Sequence, residues 1–380
     1  MKDKQRRWDT RSLLVGMAAG AGTLLVGNSF LSRNPDNRPS QLLSNRALAK
    51  RLDQARKASP IRLDSENRYV IFDDHHKGGR TRADPFIQCE ATYRAALDHY
   101  YDQGFTLIIL GDGEELLEES IERVIEAYPE VLRSEARFHP EHLMRVYGNH
   151  DIHWQVEEIV REYMDPYFPQ INYRQEVLFE YVDGDETSGE LFLIHGHQGT
   201  IESDILSILA RWTLPTYRNI QILTGFGSST SPSRDACLRS QHDNRLYRWV
   251  SKKSKLILIC GHTHRPVWSS KTHLDKLANQ LHALLQLKPE ERPADYKEKV
   301  AQLMDEIRER EAKYPACEDI VKTKPCYFNS GCCQYEDGDI TGIEIEDGTI
   351  RLIKWGPEAA ADVQRTVLEE NDLAEIFFYL

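Results

Sequence analysis

The sequence predicts an α/β layered fold carrying an inserted helical pair, and three observations lead there. Short runs rich in Val, Ile and Leu alternate with stretches of helical period, the pattern of strands layered against helices. The composition is that of an ordinary globular chain: 380 residues, 40% hydrophobic, 28% charged and 9% aromatic, long enough to bury a sizeable core. Five of the apolar runs end in His, Asp or Asn, four of them with a glycine alongside. That placement gathers polar chemistry where strand ends meet loops.

The elements follow in chain order. Lys2, Lys4, Arg6, Arg7 and Arg11 precede a charge-free stretch from Ser12 to Leu31 rich in Leu, Val, Ala and Gly. It is about long enough to span a bilayer. The expectation is a membrane anchor with its basic end in the cytoplasm, or an export signal related to the twin-arginine kind. A cytoplasmic chain with a basic tail is the alternative. Residues 32–67 are polar and interrupted by Pro35, Pro39 and Pro60, with a basic segment of helical character around Ala47–Lys57, so a tether is expected there, and the folded domain is expected from 68 to 356. Within it come a strand at Tyr69–Phe72, a helix near Asp84–Gln103, a strand at Thr106–Leu110, a helix near Glu114–Tyr128 and a strand at Leu143–Tyr147. A hairpin is expected from Val177–Tyr181 and Glu190–Ile194, turning at Asp183-Gly184. Residues 199–239, with Trp212, Leu214, Tyr217 and Phe226, are the expected cap. Residues 270–313 are highly charged, helical in period and broken at Pro289–Pro293, which predicts the inserted pair. Strand character returns at Tyr327–Asn329, Thr341–Ile345 and Thr349–Trp355, and a helical tail is expected over 357–380.

Charge and cysteine content narrow the function classes. The formal net charge is -12, whereas sequence-independent nucleic-acid binding needs a basic surface; no nucleic-acid partner is expected. An anionic substrate must then be drawn in locally. A mean hydropathy of -0.56 excludes a multi-span membrane protein. The 7 cysteines include no zinc-type CxxC pair, and adjacent Cys332-Cys333 make a poor structural disulfide. No GxxxxGK[ST] loop and no GxGxxG after a strand is present, so no nucleotide cofactor is expected.

The chemistry sits at the ends of the apolar runs. YVIF leads into Asp73-Asp74-His75-His76, LIIL into Gly111-Asp112, RVY into Gly148-Asn149-His150-Asp151, LFLI into His195-Gly196-His197, and LILIC into Gly261-His262-Thr263-His264. Imidazoles, carboxylates and one amide together suit borderline divalent ions such as manganese, iron or zinc.

In this ordered pattern the sequence resembles the calcineurin-like metallophosphoesterase superfamily, whose motifs run DxH, GDxx(D/E), GNH(D/E), a lone H and GHxH. The resemblance spans about residues 69–355 and implies a layered β-sandwich core flanked by helices. It puts Asp74, His76 and His264 on one metal ion and Asn149, His195 and His262 on a second, with Asp112 bridging; Asp73 with His75 is the weaker register. It implies hydrolysis of a phosphate ester or pyrophosphate bond by a hydroxide bridging two divalent ions, manganese first and iron or zinc as alternatives. His150 is expected to donate a proton or hydrogen bond, with Asp151 fixing its tautomer. Arg80, Arg82 and Arg234 are candidates to clamp substrate phosphates.

The plainer readings stand beside these. His75 and His197 flank the ligands as neighbours, while Cys260, Cys332 and Cys333 read as packing residues, the last two after a turn at Asn329-Ser330-Gly331. The absence of Arg-Gly after Asp112 and the form GNHD disfavour the Ser/Thr protein phosphatase branch. The motifs look more like the branch containing UDP-2,3-diacylglucosamine pyrophosphatase and related phosphodiesterases, which implies a phosphorylated small-molecule or lipid-linked substrate. A phosphomonoesterase, a non-catalytic scaffold on the same fold and a metal hydrolase acting on amides or thioesters are the alternatives. The last lacks the HxHxDH cluster it would need.

Overall fold

In the computed structural model the described residues are 39–184, 186–197, 236–288, 291–313, 322–357 and 363–380. The first half of the chain runs α1 (Pro39–Lys57), β1 (Ile61–Leu63), β2 (Tyr69–Phe72), α2 (Glu90–Asp102), β3 (Thr106–Ile109), α3 (Ile121–Ala127), α4 (Pro129–Ala136) and β4 (Leu143–Val146). Then come α5 (Glu157–Tyr163), β5 (Tyr173–Arg174), β6 (Glu176–Asp183) and β7 (Glu186–Ile194). The second half runs α6 (Ala236–Val250), β8 (Leu256–Cys260), α7 (His273–Gln286), α8 (Tyr296–Lys313), β9 (Tyr327–Asn329), β10 (Ile340–Glu346), β11 (Thr349–Pro357), β12 (Val363–Asp372) and α9 (Leu373–Phe378).

The strands form two sheets, of 5 strands in the order β1-β6-β7-β8-β9 and of 7 in the order β12-β11-β10-β2-β3-β4-β5. β2, β3, β4 and β5 run parallel, as do β7, β8 and β9. Alternation along each strand explains the layers. Ile71, Ile108, Leu191, Leu193, Ile257 and Ile259 share one core between the sheets. Their sequence neighbours Phe72, Leu107 and Ile109 face the helices α2 to α4, while Phe192, Leu256 and Leu258 face α1 and α6. Both faces are therefore buried, which is why these strands are continuous apolar runs. The predicted α/β sandwich flanked by helices, with its helical insert at α7 and α8, is the fold observed.

The structure corrects three of the expected boundaries. The segment read as a tether is largely structural: α1 buries Leu48, Leu52 and Ala55 at helical spacing, and β1 joins β6 in parallel. Gln41 and Ser44 of α1 are buried as well, on the same packed face. The fold therefore begins well before residue 68. The helix expected from Glu114 begins only at Ile121, because Glu114 and Glu115 turn their carboxylates to buried partners instead. The tail expected to be helical is mainly the strand β12, which covers the free edge of β11 and whose Arg365 bonds the buried Glu344 (Nε to Oε1 2.6 Å). Only α9 is helical there.

The hairpin β6–β7 pairs antiparallel as expected. Among the described residues no helix is long and apolar enough to cross a membrane; the expected anchor or export signal lies outside them, as do Arg234 and most of the expected cap.

Candidate metal centre

The parallel strands β2, β3 and β4 deliver Asp74, Asp112 and Asn149 to one end of the seven-stranded sheet, and β7 and β8 deliver His195 and His262 to the same end of the other. Backbone bonds tie the loops together: His76 N donates to Asp112 O (2.9 Å), and Gly261 N to His195 O (2.9 Å). Close approach is what the glycines supply. A Cβ on Gly148 would stand 2.1 Å from Asp112 Oδ1, and one on Gly261 would stand 1.7 Å from Asp73 Oδ2. Asp74, His76, Asp112, His262 and His264 all adopt positive φ, between 46° and 66°, a conformation non-glycine residues hold only where surroundings impose it.

Four overlapping groups of potential ligands result, two of which, His76-Asp112-His150 and Asp73-Asp74-His195, draw on residues beside the other two. Asp74, His76 and His264 form the first, with His264 Nε2 3.3 Å from Asp74 Oδ1 and 3.2 Å from His76 Nε2. Asp112, His195 and His262 form the second, with His195 Nε2 3.1 Å from Asp112 Oδ2. Asp112 Oδ2 also lies 3.7 Å from His76 Nε2, so this one carboxylate touches both groups. Asp74 Oδ1, His195 Nε2 and Asn149 Oδ1 are buried without a hydrogen-bond partner. Orphaned lone pairs of this kind are costly unless something positive meets them, and a set of nitrogen and oxygen donors around a shared carboxylate fits two divalent cations.

Partners behind the ligands fix which ring nitrogen faces the centre. Asp73 Oδ1 lies 3.0 Å from His195 Nδ1, and Glu115 Oε2 lies 2.9 Å from His76 Nδ1. Each carboxylate accepts the Nδ1 proton, so Nε2 faces the centre and is the lone pair of the neutral ring. The Gln334 amide nitrogen sits 2.7 Å from His264 Nδ1. His262 is held neutral by burial, with His242 and His195 adding to the effect. Burial opposes charge on His76 too, but the hydrogen bonds the ring donates to Asp74 and Glu115 override it and hold its pKa well above its usual value.

Two expected roles change. Asp151 does not touch His150: its buried carboxylate accepts Gly113 N (2.8 Å) and Gly148 N (2.6 Å), stapling two ligand loops, and burial reinforced by Asp112 and Glu114 pushes its pKa up to about 7. The partner of His150 Nδ1 is Glu115, at 2.9 and 2.8 Å from its two oxygens. Glu115 thus serves both His76 and His150. Arg80 was expected at a substrate phosphate, yet its Nε donates to Ala127 O (2.6 Å), its Nη2 to Glu90 (2.6 Å) and its guanidinium lies 4.4 Å from the Tyr128 ring centroid. Cation–π stacking and the pair with Glu90 hold it on the helical side. Arg82 is exposed. His75 is buried against Tyr93 and Phe86, at ring distances of 4.5 and 5.8 Å, which rules it out as the ligand of the alternative register. Cys260, Cys332 and Cys333 are buried free thiols, as packing residues should be.

Reading the sequence missed Asp73 and Gln334 as ring partners, and it missed a buried ionic cluster behind the loops. Lys77 Nζ lies 2.8 Å from Glu135 and 3.2 Å from Glu114, while Arg145 pairs with the same two carboxylates. Trp154 Nε1 donates to Glu114 Oε2 (2.8 Å). One signal was available: Arg145 is a lone charge inside an apolar strand. A test of the ring-partner role is Asp73→Asn, which keeps the shape but no longer presents a full negative charge to His195 Nδ1. Metal affinity is expected to fall by roughly 10–100-fold, read by titrating the metal-free protein, and an unchanged affinity would remove Asp73 from that role.

A two-sheet α/β domain whose strand ends bring two His/carboxylate groups around a shared Asp is a protein of the candidate dinuclear metal-centre class. The calcineurin-like phosphoesterase family profile matches residues 68–266, just over half of the chain. The chain belongs to that family. No curated protein sequence matches it significantly. Among solved structures it is similar to a dimetal phosphatase from Danio rerio (9% identity, 80% of this chain and 100% of that one, TM-score 0.34). It is also similar to vacuolar protein sorting 29 from Cryptosporidium parvum (10% identity, 80% and 98%, TM-score 0.32). A cold-active protein-tyrosine phosphatase of a psychrophilic Shewanella species is comparable (10% identity, 82% and 82%, TM-score 0.28). At these values none of the three bears on function.

Proposed function

We propose that the chain hydrolyses a phosphate ester or anhydride, with Asp74, His76 and His264 holding one divalent cation, Asn149, His195 and His262 a second, and Asp112 both. The observation that carries this reading is the position of Asp112 between the two groups. Two divalent cations, manganese foremost, supply Lewis-acid stabilisation of phosphoryl oxygens and a lowered pKa for an attacking water. The chain's own residues do the rest. Asp73 and Glu115 orient ring nitrogens toward the centre, where bound cations would offset the buried carboxylates and offer an anionic substrate positions to bind in an acidic protein. His150, 21% exposed and held at Nδ1 by Glu115, donates from its other ring nitrogen to a phosphoryl or leaving oxygen when the ring is doubly protonated.

As to substrate class, the chain lacks Arg-Gly after Asp112 and carries Leu116-Leu117 and GNHD, which supports the phosphodiesterase and pyrophosphatase branch and a lipid-linked or nucleotide-linked diphosphate. The test is hydrolysis of bis(p-nitrophenyl) phosphate by the full chain, stripped with chelator and reloaded with manganese, beside His262→Ala. Turnover should require metal and vanish in the variant; turnover that survives chelation would refute the reading. His150→Gln is expected to lower kcat by roughly 10²–10⁴-fold with bound metal unchanged, and a parallel loss of metal would reassign His150 to the ligand set.

A further inference from the structure

We infer that the outer face of the first half of α1 docks on an anionic lipid surface and that this turns the metal centre toward the bilayer. The direction of α1 comes first. Arg56 Nε bonds Glu190 of β7 at 2.9 Å, and Arg51 approaches Glu176 at 4.0 Å. Glu176 pairs with Ile194, the residue before His195. Arg51 is thus level with the strand end that carries a candidate ligand, and the helix continues from there back to Pro39, about 18 Å at 1.5 Å per residue. Gln41 Nε2 donates to Arg245 O (3.5 Å), one turn from His242, whose ring bonds Gly196 O (2.9 Å) beside the site. The N-terminus of α1 therefore lies on the metal side of the molecule.

The exposed stripe of that half-helix has the chemistry of a membrane interface. Leu42 and Leu43 are 46% and 49% exposed, although the opposite face of the same helix is fully packed. Arg46 and Lys50 continue the stripe at helical spacing, both exposed. Among the described residues, 39–52 carry Arg46, Lys50 and Arg51 and no acidic side chain, in a chain of net charge -12. Apolar side chains beside Lys and Arg are what an anionic headgroup layer receives. Seven residues, 32–38, join this helix to the charge-free stretch 12–31, and at most about 25 Å of chain separates them. A surface that takes up the apolar stretch is within reach of the stripe. The most exposed apolar side chains elsewhere, Phe378 at 80% and Tyr379 at 63%, follow a strand whose end meets the turn at Gly348, at the far end of the sheets.

This placement deepens the proposed hydrolase reading, on which its consequence rests: the substrate would be a phosphate or diphosphate carried by a lipid and presented at the bilayer surface. The test uses full-length protein with phosphatidylglycerol vesicles, and with phosphatidylcholine vesicles for comparison, followed by hydrogen exchange. Phosphatidylglycerol should slow exchange across residues 39–50, and the doubly substituted Leu42→Glu, Leu43→Glu protein should lose that protection with an unchanged thermal unfolding temperature. Unchanged exchange across 39–50, equal protection by both lipids, protection at 373–380 instead, or protection that persists in the double variant overturns the docking. Slowed exchange that rises with protein concentration and no vesicles would assign the face to a second copy of the chain, and so also overturn it. Turnover of soluble bis(p-nitrophenyl) phosphate, which needs no membrane, reads the hydrolase proposal separately.

Discussion

Asp112→Asn is expected to lower phosphodiester turnover by more than the roughly 100-fold upper end seen when a residue behind a metal ligand is altered. The reason is position. Asp112 Oδ2 lies 3.1 Å from His195 Nε2 and 3.7 Å from His76 Nε2, so removing its charge weakens both ion sites at once. The substitution is nearly isosteric, and its side-chain oxygen keeps the bond from His150 N, 2.7 Å in the native protein, so the loops should keep their path. Metal content by elemental analysis and turnover are to be measured on the same sample. A linked effect is expected in stability: a cation at 100 times its Kd stabilises the native chain by about 2.7 kcal/mol. The wild-type protein should therefore melt higher with manganese than with chelator, and the variant should show a much smaller difference. Two bound ions and full turnover in Asp112→Asn would remove the shared carboxylate from the mechanism.

Arg145→Met should produce the largest loss of stability, about 3–5 kcal/mol, because breaking a buried pair leaves an uncompensated charge behind. Arg145, Lys77, Glu114 and Glu135 are each no more than 1% exposed, and the cluster is neutral with all four charged. Arg145 also lies 5.3 Å from the Phe168 ring centroid and 5.2 Å from that of Tyr173, contacts that a Met replaces only in part. Burial opposes charge on Glu114, yet Arg145 and Lys77 bring its pKa down to about 2. Its folded value is thus below its unfolded one. The stability it contributes is complete above the ordinary value of 4.5 and is lost as pH falls toward 2. Urea unfolding at neutral pH and at pH 3 reads both statements. A midpoint shift in Arg145→Met within the range of ordinary surface substitutions would show that the cluster is not what holds these loops.

Some of this was legible in the residues and some was not, for physical reasons that can be stated. Strands such as Leu256–Cys260 were readable because burial on both faces forces an apolar run, and the ligands were readable because each run ends in one. The strand β12 was not: at an edge only alternate positions are half-buried, and its charged, polar sequence resembles a solvent-facing tail. Of the helix α1 only the stretch around Ala47–Lys57 was legible as helical, because two of its five buried side chains, Gln41 and Ser44, are polar and mask its packed face.

By itself, then, the sequence determined the α/β layering and the kinds of donor atom at the strand ends. Both are local properties, set by burial along a strand and by side-chain chemistry. Only the tertiary structure decided that Glu115 and not Asp151 holds His150, that Asp73 holds His195, that Arg80 is occupied elsewhere and that four charges are buried behind the loops. Each of these depends on which side chains meet across tens or hundreds of residues, and a hydrogen bond or ion pair is decided by a few tenths of an ångström that no spacing in the chain encodes.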